Sequence, residues 1–305
     1  MLTGLWAGIG SKLADRWAEV SAPALVFWVS AVLAWITGGG LHSLRNSGRW
    51  LEHQGALVQI AVIGGILAGV VVSGLVVNRL CLPTLRLLEG YWPGFLSPLH
   101  RRLTGRVRAK AADLDRRFQD LYRPVHGGTA TEEERSEYVS LDTQLHWLPG
   151  NESYQPTAVG NILRAAEYRP TEKYGLGIVT AWPRLWLLLP DTARAELAEA
   201  RRLLDTAASA CVWGLLFVAF TPLAWWAAVA GVAVTLLAYR FWLRWQAVVF
   251  ADLLDSAFDL YRGLLYEQLR WPLPADPGEE RLTGALLTEY LWRGLPGHNP
   301  PASAS

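Results

Sequence analysis

Charge is scarce in this chain. Asp, Glu, Lys and Arg make up 18% of its 305 residues, against about a quarter in an ordinary soluble domain, so much of its surface does not face water. With 51% hydrophobic residues, intrinsic disorder is excluded. Cysteine is nearly missing: Cys81 and Cys211 each lie in or beside an apolar run, with no second Cys or His at ligand spacing. That removes a disulfide framework and a zinc site. A net charge of +1 sets up no global field toward nucleic acid or an acidic substrate. Also absent are G-x-x-x-x-G-K, H-E-x-x-H, G-x-S-x-G and G-x-G-x-x-G, the commonest phosphate, zinc, serine-hydrolase and dinucleotide signatures. Valine-rich strands of alternating pattern are nearly absent, and helix-period spacing such as Leu103, Val107, Ala111, Leu114, Phe118 recurs, so the chain reads as all α.

What is present is a set of long uncharged runs. Residues 20–41, 54–78 and 206–239 contain no Asp, Glu, Lys, Arg or His. Each is long enough to cross a hydrocarbon core, which takes roughly 20 residues. The third makes a helix of about 51 Å at 1.5 Å per residue, too long for one crossing, and Thr221-Pro222 interrupts it midway. The expected fold is therefore an all-α membrane protein with four transmembrane helices as two hairpins plus an α-helical cytoplasmic domain. Its expected segments are an amphipathic N-terminal helix (1–22), a first hairpin (23–79), a helical insertion (80–205), a second hairpin (206–245), a helical tail (246–295) and a disordered end (296–305). The N-terminal amphipath (Leu2, Leu5, Trp6, Ile9, Leu13, Trp17) suits the membrane surface better than a cleaved secretion signal. Many of the sixteen Trp stand in or at the ends of the apolar runs, where indoles prefer the headgroup level.

Basic residues set the orientation. Seven Lys and Arg from Arg79 to Lys110 follow the second run, Arg201 and Arg202 precede the third, and Arg240 and Arg244 close it. Placing all of these inside makes both termini cytoplasmic. The cytoplasmic mass is unevenly charged: residues 79–123 hold ten basic and four acidic groups, whereas 124–205 and 246–305 each come to −4. Arg101, Arg102, Arg106, Arg108 and Lys110 are the candidates for lipid or phosphate contact. Positive-inside topology alone also accounts for them.

Polar side chains are densest in P-T-A-V-G-N-I-L-R-A-A-E-Y-R-P, residues 156–170. Thr157 is a cap and Pro170 a stop. A 3.6-residue period puts Asn161, Arg164 and Glu167 on one face. With Tyr174 and Arg184 they form the candidate ligand set, or else a satisfied network against another helix. The apolar segment 178–190 is too short to span and belongs at the membrane interface or in the core. Asp252, Asp255 and Asp259, at i, i+3 and i+7 beyond the last run, form either a cation-attracting pore mouth in an oligomer or a solvated helix face. Asp113 and Asp115 point apart on a helix, so no metal is expected, and no cofactor is implied. The runs carry no ionisable residue for a proton relay. They do carry small residues at four-residue spacing: Gly65, Gly69 and Ser73, then Ala210 and Gly214, then Ala227, Gly231 and Thr235. Such stripes let helices pack within one chain or between copies. An echo between residues 115–123 and 255–262 hints at duplication.

The segments T-A-V-G-N-I-L-R-A-A-E-Y (157–168), K-Y-G (173–175), W-P-R-L (182–185) and S-A-F-D-L-Y-R (256–262), followed by W-P-L-P-A-D-P-G-E-E-R (271–281), resemble a widespread group of bacterial membrane proteins of unassigned function. The resemblance covers the second half of the chain. It implies an integral membrane protein and supplies no activity, ligand or catalytic residue. The expected function is non-enzymatic: a homo-oligomeric channel or membrane effector of the inner membrane, gated by its cytoplasmic domain. The alternatives are a scaffold recruiting a soluble partner and a membrane-bound enzyme acting on lipid or nucleotide. Expected partners are membrane lipids, further copies of the chain, and a cytoplasmic ligand or protein, with no sign of sequence-specific nucleic-acid binding.

Overall fold

The structure, a computed structural model, describes residues 22–40, 52–150 and 153–294. The amphipath ahead of residue 22 and the tail 296–305 lie outside the described residues. Among the described residues the chain is all α, with no strand. Helix α1 (22–35) runs into a π-helical turn, Ile36–Gly40. Helix α2 (Ala56–Glu89) and a 3-10 turn, Gly94–Leu96, precede α3 (Ser97–His126). Then follow α4 (Glu132–His146), α5 (Ala158–Tyr174), α6 (Ile178–Leu188) and α7 (Asp191–Phe217). Helix α8 (Trp226–Leu237) continues through a π-helical stretch, Ala238–Leu243, into α9 (Arg244–Gln268), and α10 (Pro277–Arg293) follows. Among the described residues three helical stretches, within Ala56–His126, Asp191–Phe220 and Trp226–Gln268, are long and apolar enough to cross a membrane, and Ala22–Gly38 is a shorter apolar helix.

The chain divides into two compact units, each built from separate stretches. One runs up to Leu85 and includes Asp205–Leu243; the other comprises Arg86–Leu204 and the chain from Arg244 onward. In the first, α7 and α8 are antiparallel: the Cys211 thiol lies against the Thr235 carbonyl, and Gly214 faces Gly231. A Cβ on Gly214 would lie 2.5 Å from the Thr235 hydroxyl, and one on Gly231 2.7 Å from the Gly214 carbonyl oxygen. Only glycine permits that approach. The turn after α7 carries Thr221, the interruption expected in the long apolar run. Helix α1 joins this unit through aromatic rings, with Phe27 4.8 Å from Trp213 and 5.4 Å from Phe220. It is tied by two indole bonds, Trp28 Nε1 donating to Ser73 Oγ and Trp226 Nε1 to Thr37 Oγ1, each at 3.0 Å. Where apolar surroundings supply no other partner, such bonds hold helices in register.

In the second unit α5 is the hub, packed on α6, α9 and α10, while α3 and α4 pair with each other. Phe258, Leu265, Tyr266, Leu185 and Leu287 are fully buried. Helix α4 starts on a capping box: Thr131 accepts from the Glu134 amide, and the Glu134 carboxylate accepts from the Thr131 amide, which satisfies two orphan donors. Pro170 does not stop α5 as expected. It removes only its own N–H, and the helix runs one more turn to Gly175, whose φ of 69° closes it in the left-handed region. The Gly175 amide bonds to the Thr171 carbonyl and the Leu176 amide reaches back to the Pro170 carbonyl, a left-handed ending that the missing proline donor does not disturb. Helix α6 buries Thr180, Ala181 and Leu185 and leaves Val179 and Leu187 outside.

Candidate functional site

The site begins with the entry to α5. Thr157 has an extended backbone and its hydroxyl accepts from the Gly160 amide at 3.0 Å. Asn161, 4% exposed, accepts from the Gln155 amide (2.8 Å) and donates to the Gln155 and Thr157 carbonyls (2.9 and 2.8 Å). Both N–H groups of its amide are thereby committed to fastening the incoming segment. Gly160 presses on the end of α2: a Cβ there would lie 1.7 Å from the Glu89 carbonyl oxygen.

One turn further on, Arg164 leaves the core. It donates to Ser153 Oγ (3.3 Å) and pairs with Glu167 (3.2 Å). This pair forms one wall of an open cleft of about 510 Å³ between α5, α6 and α10. On the opposite wall Arg293 pairs with Glu289 at 3.1 Å, beside the exposed Trp292 indole. The first turn of α6 forms the floor. Thr288 fixes its position, accepting from the Gly177 amide (2.9 Å) and bonding to the Gly175 carbonyl (3.1 Å). Two opposed Arg–Glu pairs flanking apolar and aromatic surface suit a ligand with an apolar body and a charged group. A smaller recess of about 280 Å³ shares Glu167, Ile178 and Val179 with the cleft and is bordered by Arg201 and Phe250.

Beyond Arg164, α5 is held to α9 and α10 by a ladder of charges. Arg169 pairs with Asp255, donates to the His146 carbonyl and lies 5.3 Å from the Trp147 ring centre. Burial holds its guanidinium below its ordinary pKa, and the charges of Asp252, Glu172 and Asp259 oppose that. Asp259 accepts from Lys173 (3.3 Å) and from the Tyr174 hydroxyl. Burial, the bond to Asp259 and that carboxylate's charge push the Tyr174 phenol up to about 12, so it remains a donor. Arg262 lies 4.0 Å over the Tyr174 ring and pairs with Glu280 at 2.7 Å. The Tyr266 hydroxyl is buried without a hydrogen-bond partner among the described residues. Burial, then the charge of Glu280, pushes its pKa up to about 12.

Of the ligand set read from the sequence, the structure brings Arg164 and Glu167 to the cleft. Asn161 is enclosed in its own local bonds, Tyr174 belongs to the Asp259 and Arg262 cluster, and Arg184 donates to the Thr180 carbonyl of its own helix (2.6 Å). Of the three aspartates on α9, Asp255 and Asp259 are committed to α5 and Asp252 is exposed. Gly231 and Thr235 lie in the α7–α8 contact, Ala227 is buried in a cluster with Ala34, Phe217 and Ala224, and Ser73 bonds to Trp28, whereas among the described residues a Cβ on Gly65 or Gly69 would meet nothing within 4 Å. Arg101, Arg102, Arg106, Arg108 and Lys110 are all exposed on α3. The α10 wall with Thr288, Trp292 and Arg293 had no sequence signal linking it to α5. Its one local clue is the small-residue face Gly284, Ala285, Thr288. No family model, no curated protein and no solved structure matches the chain.

Proposed function

We propose that the chain is a non-enzymatic membrane effector of the bacterial inner membrane, a homo-oligomeric channel or similar assembly, whose helical unit binds a charged amphipathic ligand between α5, α6 and α10. The carrying observation is a connection through named residues. The cleft is walled by α5; α5 is clamped to α9 by Arg169–Asp255 and Lys173–Asp259; and the helix containing α9 runs without a break from Trp226, through an apolar span candidate, to Gln268. A ligand that shifts α5 acts on α9, whose helix is continuous along the chain with an apolar span candidate, and a continuous helix is one kind of element that can carry coupling. The ionisable groups that join α5, α9 and α10 pair with one another, which favours a binding and coupling module over a reaction centre. Four spans in two hairpins with both termini cytoplasmic agree with the basic clusters.

The test is the mass of the detergent-purified protein, followed by planar-bilayer conductance of the wild type and of Ala285→Trp. Ala285 is an exposed cleft residue, so an indole there fills the cleft without entering the core. An oligomer whose open probability changes in A285W supports the reading. A monomer, or an oligomer that passes no current, overturns the channel. A scaffold recruiting a soluble partner is the second reading, favoured by the apolar side chains that α6 leaves outside, Val179 and Leu187.

A further inference from the structure

The corner between α2 and α3 has features that the cleft and the ladder do not use. Three large apolar side chains stand in the open within nine residues: Tyr91, Phe95 and Leu99, exposed by 54%, 80% and 46%. Directly behind them, Arg101, Arg102, Arg106, Arg108 and Lys110 follow in the first half of α3, and residues 90–112 contain no acid at all. All five cations are exposed. At 100° per residue they fan over roughly half of the helix circumference, opposite the half-buried side of Leu103 and Val107 that leads to buried Ala111 and Leu114. Leu99 falls within the cationic arc.

Two independent requirements of a bilayer surface meet here. Exposed aromatic and aliphatic side chains enter the headgroup boundary, where an apolar body gains and a phenol stays wet. Clusters of four to eight Lys or Arg next to a spanning helix are attracted to anionic headgroups, each contributing about 1 kcal/mol near the surface. A soluble partner would have to find this patch by diffusion. A membrane is already at hand, because the corner follows directly on α2, one of the apolar spanning candidates. We propose that the α2–α3 corner and the first half of α3 dock on an anionic bilayer surface, with Tyr91, Phe95 and Leu99 entering the interface and Arg101, Arg102, Arg106, Arg108 and Lys110 contacting lipid phosphates. The docking depends on neither the cleft nor the oligomeric state, so it stands or falls separately from the channel reading.

The experiment uses the full chain with Phe95→Cys carrying an environment-sensitive fluorophore. Native Cys81 and Cys211 are buried and react slowly. A Val139→Cys label on exposed α4 is the reference. Each is placed in nanodiscs of phosphatidylcholine alone or of phosphatidylcholine with phosphatidylglycerol, with brominated acyl chains as quencher. Docking shifts the emission at position 95 to the blue and makes it quenchable in the anionic discs, while position 139 stays wet in both. Adding Arg101→Gln, Arg102→Gln and Arg106→Gln lowers the docking equilibrium on the order of a hundredfold. A probe at 95 that stays wet in both membranes overturns the proposal, and so does one that responds to added polynucleotide instead. Equal quenching in neutral and anionic discs, or quenching indifferent to the triple substitution, overturns the anionic-lipid assignment.

Discussion

Arg169 and Asp255 form an ion pair inside the helical unit, with only 10% and 12% of their side chains exposed. Taking two charges out of water is costly, and their attraction offsets that cost only while both partners remain. The pair bolts α5 to α9.

Removing one partner should therefore be worse than removing both. Asp255→Leu strands a buried guanidinium and is expected to cost about 3–5 kcal/mol, seen as a lowered thermal midpoint of the purified protein. Arg169→Met combined with Asp255→Leu should recover most of the loss, because two apolar side chains of similar volume pack where the pair stood. A double variant as unstable as the single one would show that the arginine's other contacts, to the His146 carbonyl and the Trp147 ring, matter more than the pair.

The two glycine stripes make opposite predictions. Gly231 lies against the Gly214 carbonyl, so Gly231→Val should force α7 and α8 apart at a cost of about 1–3 kcal/mol. Among the described residues, a Cβ on Gly65 or Gly69 would meet nothing within 4 Å. Gly65→Ile with Gly69→Ile should leave the thermal midpoint of the monomeric fold unchanged while reducing the detergent-solubilised mass if that stripe packs against another copy. Loss of folding in the second variant, with no effect on mass, would remove the stripe from any role in association.

These contrasts mark what the sequence could and could not convey. Small residues every fourth position were visible on α2, α7 and α8 alike, but the pattern does not tell which stripe finds its partner in the same chain. Thr157 was readable as a cap because capping is local, decided within three residues. Pro170 misled because the rule counts a lost donor, whereas this helix had a left-handed Gly175 waiting one turn later. The cleft was only half legible. Arg164 and Glu167 share a helix face at i, i+3, a relation that periodicity captures. Thr288 reaches Gly175 across 113 residues, a contact that no local pattern encodes. The aspartates on α9 have the spacing of one solvated face, yet Asp255 is buried, because Arg169 on α5 faces it.

Asn161 and Arg164 sit one turn apart and should behave differently. Asn161→Ala leaves the half-buried Gln155 amide and carbonyl without their partner and should lower stability by about 1–3 kcal/mol. Arg164→Gln removes a half-exposed pair of the kind that contributes little to folding. It should leave the thermal midpoint in place while weakening whatever ligand the cleft binds, read as a changed conductance or recruitment. Should Arg164→Gln unfold the protein, its bond to Ser153 is structural and the cleft loses its best anchor.

His146 ends α4 beside Arg169 and is exposed overall, yet its imidazole is held below the ordinary value of 6.5, by partial desolvation first and then by the Arg169 charge, with Asp252 and Asp142 opposing. The sign of the resulting pH dependence follows from where the proton binds. Below the ordinary value the unfolded chain takes up a proton that the folded protein resists, so stability is present near neutrality and is lost as the pH falls through about 6.5 toward the folded value. The thermal midpoint should therefore drop between about pH 7.5 and 5.5. His146→Gln should flatten that slope, since the Arg169 contact at this residue is to the backbone carbonyl and survives the substitution. An identical slope in both proteins would place the acid sensitivity elsewhere. A slope of opposite sign would mean that Asp252 and Asp142 outweigh burial and that the imidazole is charged where α4 meets Arg169.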